Sequence, residues 1–249
     1  MIKAAIIGGS GLEDPDIIDS PEEIVIVTPY GKTSSPLICG SVKGTEVVIL
    51  SRHGKGHTIP PSSVNNRANI YALKKAGCTH IIATTACGSL REEIRRGDLV
   101  IPDQFIDFTR HRDITFFEEF EPGSLEHAPM ADPFNEQLRF LIISKAKKIG
   151  LAIHEKGTLI TIEGPRFSTR AESRMFRQWG ADIINMSVAP EVILANEIGI
   201  PYSAIAMSTD YDCWKEDEAP VSWEEVLAVF RSNAHNVLQL LLDIIPEVR

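Results

Sequence analysis

Short apolar runs alternate with helix-period segments along the chain, and polar or glycine-rich turns separate them. Apolar runs of this length, bounded by turn residues, predict buried strands. The predicted strands cover residues 3–7, 23–27, 37–42, 46–50, 79–85, 99–103, 159–162, 183–186 and 202–207. The predicted helices cover residues 64–76, 135–149, 169–179, 190–197 and 222–245. This alternation favours an α/β fold class, in one domain spanning residues 1–249.

Segment 157–214 contains three of the predicted strands, and polar residues follow each of them. Ligands of α/β proteins gather at the carboxyl ends of sheet strands. The segment therefore predicts a small-molecule site. Residues 105–133, in contrast, show no period but contain clustered aromatic residues and histidines, which is typical of a functional or flexible connection.

Asp210 and Asp212 follow the last predicted strand and are two positions apart. Side chains with this spacing share a face of a strand, so we expect the two carboxyls to lie close together. Crowded carboxylates do not both ionise easily, and one of them then holds a proton near neutral pH. The alternative is an ordinary polar turn that leads to solvent.

Hydrogen-bond donors follow four other predicted strands. Ser10 lies in a glycine-rich turn, Arg52 and His53 follow residues 46–50, Thr85 and the backbone of Ala86 end residues 79–85, and Ser187 follows residues 183–186. Hydroxyl and amide donors, with a guanidinium that can bind an oxyanion in bidentate fashion, are together suited to a phosphate. Each group alone is equally compatible with a tight turn or a surface pair.

The charge and cysteine content narrow the function classes. The net charge of −9 without a basic cluster argues against nucleic acid and anionic membranes as partners. None of the four cysteines has the spacing of a metal site or redox motif, so we expect free thiols in a cytoplasmic protein without a metal. The apolar run at the start is too short for a signal peptide.

Motifs along nearly the whole chain resemble the trimeric purine nucleoside phosphorylase family, and in particular its methylthioadenosine-cleaving members. They are GGSGL at 8–12, RHGKGHT at 52–58, TTACGSLREE at 84–93, DQFID at 103–107, TIEGPRFSTRAES at 161–173, WGADIINM at 179–186, PEV at 190–192 and TDYDCWKE at 209–216. The resemblance implies a phosphorylase/hydrolase-like fold with a mixed, partly barrel-like sheet flanked by helices. It also implies a homotrimer or a dimer of trimers.

The resemblance also implies a role for individual residues. Phosphate would be held by Ser10, Arg52, His53, Thr85, Ala86 and Ser187. The nucleoside would meet Phe167, Ser168, Met186, Asp210, Tyr211 and Asp212, with Asp210 as the catalytic acid. The 5′ pocket would be lined by Trp223, Val226 and Leu227, and a neighbouring subunit would be approached by His57 and His127. Ser187 replaces the threonine that is frequent in such enzymes, and Trp223 replaces a smaller aliphatic residue.

The activity implied is phosphate-dependent cleavage of 5′-methylthioadenosine to adenine and 5-methylthioribose 1-phosphate, without a metal or organic cofactor. One alternative is the same chemistry on a 6-oxopurine nucleoside such as methylthioinosine, inosine or guanosine. A nucleotide-binding oxidoreductase is a second alternative, but the loop at 8–11 lacks the third glycine and the helix of a dinucleotide fingerprint. A nucleoside-binding module without catalysis is the third, although paired carboxylates exceed what binding requires.

Overall fold

The computed structural model describes residues 2–8, 18–124, 126–217 and 223–249. Within these ranges the strands are β1 (Lys3–Gly8), β2 (Asp19–Ile24), β3 (Leu37–Val42), β4 (Thr45–Ser51), β5 (His80–Ser89), β6 (Leu99–Val100), β7 (Gln104–Phe108), β8 (Ile153–His154), β9 (Thr158–Ile162), β10 (Ile183–Asn185) and β11 (Tyr202–Asp210). The helices are α1 (Asn66–Lys75), α2 (Glu136–Lys148), α3 (Arg170–Gln178), α4 (Val188–Glu197) and α5 (Trp223–Ile244). None of the described helices is both long and apolar enough to cross a membrane.

The strands form one mixed and branched sheet. Its main path runs β2-β3-β4-β1-β5-β10-β9-β7, and β11 leaves this path at β5 and leads through β6 to β8. β5 pairs in parallel with β1 and β11 but antiparallel with β10. Among the described strands no pairing joins the ends of the three arms, so the sheet is open and does not close into a barrel. The predicted α/β class with a mixed sheet and flanking helices is confirmed.

Helices cover both faces of the sheet, and the alternation of side chains along a strand explains why. In β1, Ala5 and Ile7 belong to the apolar cluster that includes residues of α1 and α4. Ala4 and Ile6 point the other way, into the cluster that includes residues of α2 and α5. All four side chains are fully buried, which accounts for the continuous apolar run in the sequence.

The buried strands lie near their predicted positions, whereas the edge strands differ. β2 begins at Asp19 and ends at Ile24, and Val25 and Val27 of the predicted strand are 76% and 78% exposed. β7 was not predicted, and it pairs with β9 although its residues are all partly exposed. β6 stops at Val100, and β8 is a two-residue strand that pairs with β6. An edge strand packs on few partners, so its apolar pattern is weak.

Three central elements extend beyond their predicted ends. β5 continues to Ser89 because its last residues pair with β10. β11 continues to Asp210, which pairs with Gly88 after an irregularity in the register. α4 begins at Val188, so Pro190 occupies its third position, still within the first turn where a missing N–H costs little.

Candidate active site

A cavity that opens to solvent lies at the carboxyl ends of β4, β5, β9, β10 and β11. A concave site lined by apolar side chains and a few polar groups suits a small-molecule ligand. Its wall includes most of the predicted site residues: Arg52, His53, His57, Thr85, Ala86, Phe167, Ser168, Met186, Ser187, Asp210 and Asp212, joined by Pro61, Cys87, Gly88, Asn185 and Thr209 among others. Side chains from strands far apart in the sequence therefore converge on one site.

Arg52 follows β4 and is only 2% exposed. Its Nε and Nη2 donate to the two carboxylate oxygens of Glu191 in the first turn of α4, and its Nη1 donates to the backbone oxygen of Thr84 at 2.9 Å. Tyr202 of β11 also donates to Glu191, at 2.8 Å. The side of the guanidinium that carries Nε and Nη2 thus pairs with Glu191, while another part of the Arg52 side chain lines the cavity. The predicted contact between Arg52 and an oxyanion therefore does not use the Nε and Nη2 hydrogens that point to Glu191.

His53 lies on the cavity wall as a neutral ring. Its Nδ1 is 2.9 Å from the backbone oxygen of Ile59, and because a carbonyl only accepts, Nδ1 carries the proton. Burial, together with the charge of Arg52, lowers the pKa of His53 from 6.5 to about 4. The single N–H of the neutral ring is therefore committed to Ile59, and Nε2 is an acceptor rather than the predicted second donor.

His57 stacks on His53 with ring centroids 4.3 Å apart, and it lines the cavity of its own chain. Burial and the charge of Arg52 lower its pKa as well. The resemblance implied that His57 approaches a neighbouring subunit, and its place in this chain's own cavity is an additional finding.

The hydroxyls of Thr85 and Ser187 lie 3.1 Å apart across the cavity wall, and the Thr85 hydroxyl donates to the backbone oxygen of Ala86 at 2.9 Å. The amide nitrogen of Asn185 donates to both, at 3.2 and 3.3 Å, while its oxygen accepts from Thr161 at 2.8 Å. Ser187 immediately precedes α4 but does not cap it with its side chain. The hydroxyl therefore remains at the cavity, beside a helix N-terminus whose dipole favours an anion. We call Arg52, Thr85 and Ser187 the anion end.

Asp210 is the last residue of β11, and both of its carboxylate oxygens accept hydrogen bonds. Oδ1 accepts from the backbone N–H of Asp212 and Oδ2 from the hydroxyl of Thr209, each at 2.8 Å. The carboxylate lies over Gly88 of β5, where an added Cβ would be 2.8 Å from Oδ1. A glycine at this position therefore leaves the space that Asp210 occupies.

Asp212 reaches the cavity from the turn after β11, with a φ of 50°. The alternation of strand side chains does not place it, because β11 has already ended, so this part of the sequence argument was wrong although the two residues meet. Burial raises the pKa of Asp212, and the charge of Asp210 raises it further, while the hydroxyl of Ser173 partly offsets this. Burial therefore favours the protonated form of the Asp212 carboxyl. We call Asp210, Asp212, Phe167 and Ser168 the acid end.

The loop after β9 carries Phe167 and Ser168 to the cavity, and Phe167 remains 44% exposed. The loop passes tightly against Met186, because a Cβ on Gly164 would be 2.5 Å from the Met186 sulfur. The φ of 65° at Gly164 is also one that side chains disfavour. Met186 and the loop are therefore packed as one unit.

Two predicted site residues lie away from this cavity. The ring of Tyr211 packs against Trp214 and lies under the Lys215 ammonium, so its side chain does not line the wall. His127 is exposed and packs against Phe120. Ser10 lies outside the described residues, and for Trp223, Val226 and Leu227 only the helical backbone is described, so their predicted roles rest on the sequence alone.

Sequence reasoning gave no role to Asn185 or Glu191, although both fall within quoted motifs. Glu191 is 1% exposed, and its partner Arg52 is 139 residues away in the chain. A charged residue within an apolar helix was the available signal, since buried charges are nearly always paired. For Asn185 the signal was an amide at the end of a buried strand.

Comparison with known proteins identifies the family of the chain. A family model described as the phosphorylase superfamily matches residues 3–246. Relatives named S-methyl-5′-thioadenosine phosphorylase are 53% identical in Danio rerio and 55% in Xenopus tropicalis, each over 99% of this chain and 89% of the relative.

Solved structures give the same result. Methylthioadenosine phosphorylase from Schistosoma mansoni in complex with adenine has a TM-score of 0.93 and 44% identity, over 99% of this chain and 91% of that one. A point variant from the same organism, described as an adenosine/methylthioadenosine phosphorylase in complex with methylthioadenosine, has a TM-score of 0.92 and 43% identity over the same shares. The chain therefore belongs to the phosphorylase superfamily.

Proposed function

We propose that this protein cleaves 5′-methylthioadenosine with inorganic phosphate, giving adenine and 5-methylthioribose 1-phosphate. The carrying observation is a single cavity in which Arg52, Thr85 and Ser187 supply donors and Asp210 and Asp212 supply a carboxyl pair. The relatives named S-methyl-5′-thioadenosine phosphorylase, at 53% and 55% identity over nearly the whole chain, support this substrate.

Phosphate occupies the anion end in this proposal. The hydroxyl of Ser187 and the N-terminus of α4 bind its oxygens, and the Thr85 hydroxyl joins them by rotating from the backbone oxygen of Ala86. Arg52 contributes its charge. His53 accepts a hydrogen bond from a protonated phosphate oxygen through Nε2, because its N–H is held by Ile59. A phosphate oxygen attacks C1′ as the bond from C1′ to the base breaks, and the phosphate charge stabilises the oxocarbenium-like transition state.

The adenine lies at the acid end, between the ring of Phe167 and the two carboxyls. The departing base takes up one proton at N7, and we assign this step to the carboxyl pair rather than to Asp210 alone. In this proposal Asp212, whose pKa is raised by burial, supplies the proton, and Asp210 accepts from the 6-amino group. A 6-oxopurine has no hydrogen to donate at this position, which disfavours inosine-type substrates.

The reaction needs no metal or organic cofactor in this proposal, since phosphate is already ionised and one proton suffices for the base. We place the 5′-methylthio group against the start of α5, where Trp223, Val226 and Leu227 stand in the sequence. We also propose a homotrimer or a dimer of trimers, with His127 of one subunit near the cavity of the next. The exposed aromatic Phe120 beside His127 supports such a contact.

A nucleoside panel tests the substrate. Methylthioadenosine, adenosine, methylthioinosine and inosine are each incubated with the protein and phosphate, and products are separated by chromatography. The proposal predicts adenine and 5-methylthioribose 1-phosphate from methylthioadenosine as the preferred reaction. Faster turnover of inosine than of methylthioadenosine would contradict it.

A further inference from the structure

Arg112 lies in the segment after β7 and has a nearly buried side chain, 3% exposed. Its guanidinium donates to four acceptors on two strand ends. Nη1 donates to the backbone oxygen of Met186 at 2.7 Å, and Nη2 donates to the backbone oxygens of Glu163 at 2.6 Å and Ile162 at 3.3 Å. Nε donates to the Glu163 carboxylate at 3.1 Å. One side chain thus joins the end of β9 to the end of β10.

The other carboxylate oxygen of Glu163 accepts from the backbone N–H groups of Arg110 and His111, at 2.6 and 3.0 Å. Arg112 and Glu163 therefore form an ion pair, and Glu163 also fixes the backbone of the turn that contains Arg112. A planar guanidinium with several fixed donors suits this set of acceptors, whereas a lysine ammonium is a flexible point charge.

The two strand ends that Arg112 joins carry cavity residues. The backbone oxygen of Met186 accepts from Arg112. The sulfur of Met186 packs against Gly164, where any side chain would clash with it. The loop that begins at Glu163 leads to Phe167 and Ser168 of the acid end. A shift of either strand end would displace these side chains together.

We propose that Arg112 is a positioning residue that sets the nucleoside-binding wall of the cavity, formed by Met186, Phe167 and Ser168, through its bonds to the ends of β9 and β10. This inference rests on the proposed function for the identity of the nucleoside. It assigns Arg112 no contact with substrate. Its effect is larger on nucleoside affinity than on phosphate affinity, because Ser187 is also held by Thr85 and Asn185.

The variant Arg112→Lys tests this, because it keeps the positive charge and removes the fork. We expect the KM for methylthioadenosine to rise about 10-fold, since small displacements of binding groups have effects of this order, while the phosphate KM stays within about 2-fold. Arg67→Lys is the matched control: Arg67 donates to Asp113 and Glu118 of the same segment but does not line the cavity. Both KM values should stay within about 2-fold in this control.

Adenine binding measured by calorimetry separates this inference from the proposed function. A wild-type protein that binds adenine but does not turn over methylthioadenosine would refute the function, and a weaker adenine affinity in Arg112→Lys would still support the positioning role. An unchanged nucleoside KM in Arg112→Lys, an equal rise in both KM values, or the same effect in Arg67→Lys would overturn it. If Arg112→Lys does not fold, Glu163→Gln replaces it with the same expected split, and an unchanged nucleoside KM there would overturn the inference equally.

Discussion

Asp210 and Asp212 arrive at the same cavity by different backbone routes, one from the end of β11 and one from a turn with positive φ. Their hydrogen bonding differs as well. Asp210 accepts from Thr209 and from the backbone of Asp212, whereas burial raises the pKa of Asp212. Two like groups in different environments are suited to different roles, one accepting a hydrogen bond and one donating a proton.

Replacing either carboxyl tests this division. Asp212→Asn removes the proton donor, so we expect kcat for methylthioadenosine to fall by about 10² to 10⁴, the usual contribution of general acid catalysis. Asp210→Asn should lower adenine-nucleoside activity and raise the relative rate with inosine, because an amide can donate to a 6-oxo group. Asp243→Asn, at an exposed ion pair with Lys43, is the control and should keep full activity. An unchanged adenine-to-hypoxanthine preference in Asp210→Asn would remove Asp210 from base recognition.

His53 predicts a pH dependence of stability. Its pKa is about 4 in the folded chain and near 6.5 when exposed, so the unfolded chain binds more protons between these values. The free energy of unfolding should therefore decrease as the pH falls from about 6.5 to 4. His53→Asn, measured by urea unfolding across this range, should show a smaller decrease than the wild type. Equal slopes in His53→Asn and the wild type would contradict the neutral, buried ring.

Residues that follow a buried strand could be predicted as site residues, and Arg52, Thr85, Ser187 and Asp210 belong to this group. Arg52, Thr85 and Asp210 meet because β4, β5 and β11 run in the same direction in the sheet, whereas Ser187 comes from β10, which runs antiparallel to β5. The partners that hold them could not be predicted in the same way. Glu191 receives Arg52 only because α4 and the end of β4 meet in the folded chain. The only sign of such a contact in the local sequence is a charged residue within an apolar helix.

At the level of elements, β5 is the strand on which the site depends. It pairs with β1, β10 and β11, so the residues at the ends of β10 and β11 lie beside the last residues of β5. Gly88 near its end faces both Asp210 and Ile184, with an added Cβ 2.8 and 3.0 Å from them. The position of the acid end is therefore set by backbone packing between strands.

Gly88→Ala tests this packing. The added Cβ has no room beside Asp210 and Ile184, so we expect kcat/KM to fall by about 10² as the carboxylate is displaced. Gly157→Ala is a matched control, since its Cβ would lie 2.9 Å from Val100, away from the cavity. Both variants should lose thermal stability, but only Gly88→Ala should lose activity. Full activity in Gly88→Ala, assayed with phosphate and methylthioadenosine, would contradict the assigned place of Asp210.

The strands and helices of the core were predictable because burial on both faces leaves a continuous apolar run, as in β1 and β11. β2 and β7 lie at the ends of the sheet path, where little apolar surface is covered. Their strand character comes from hydrogen bonds to β3 and β9, which depend on the tertiary structure. A sequence pattern alone does not contain this information.

At the level of the whole molecule, the segment between β7 and α2 connects the cavity wall with the exposed side chains of Phe120 and His127. Arg112 at its start holds Met186, and further along it Phe120 is 43% exposed and packs against His127. Exposed aromatic residues are enriched at interfaces between subunits. This segment is therefore the part of the described chain that carries the proposed contact between subunits.

The assembly is testable with one surface substitution. Phe120→Glu places a charge in the proposed contact, so we expect trimers to dissociate in sedimentation and activity to fall with them. Phe140→Glu is the control, because Phe140 is 58% exposed on α2, outside this segment. A fully active monomeric wild type would contradict the proposed need for a neighbouring subunit.

The central claim is that phosphate, held at the anion end, is the attacking group, and the phosphate dependence of adenine release tests it most directly. Adenine formed from methylthioadenosine is followed by absorbance, first in phosphate-free buffer and then with increasing phosphate. The account predicts negligible release without phosphate, saturation as phosphate is added, and 5-methylthioribose 1-phosphate in an amount equal to adenine. Release at the same rate without phosphate, with free methylthioribose as the product, would contradict it and identify a hydrolase.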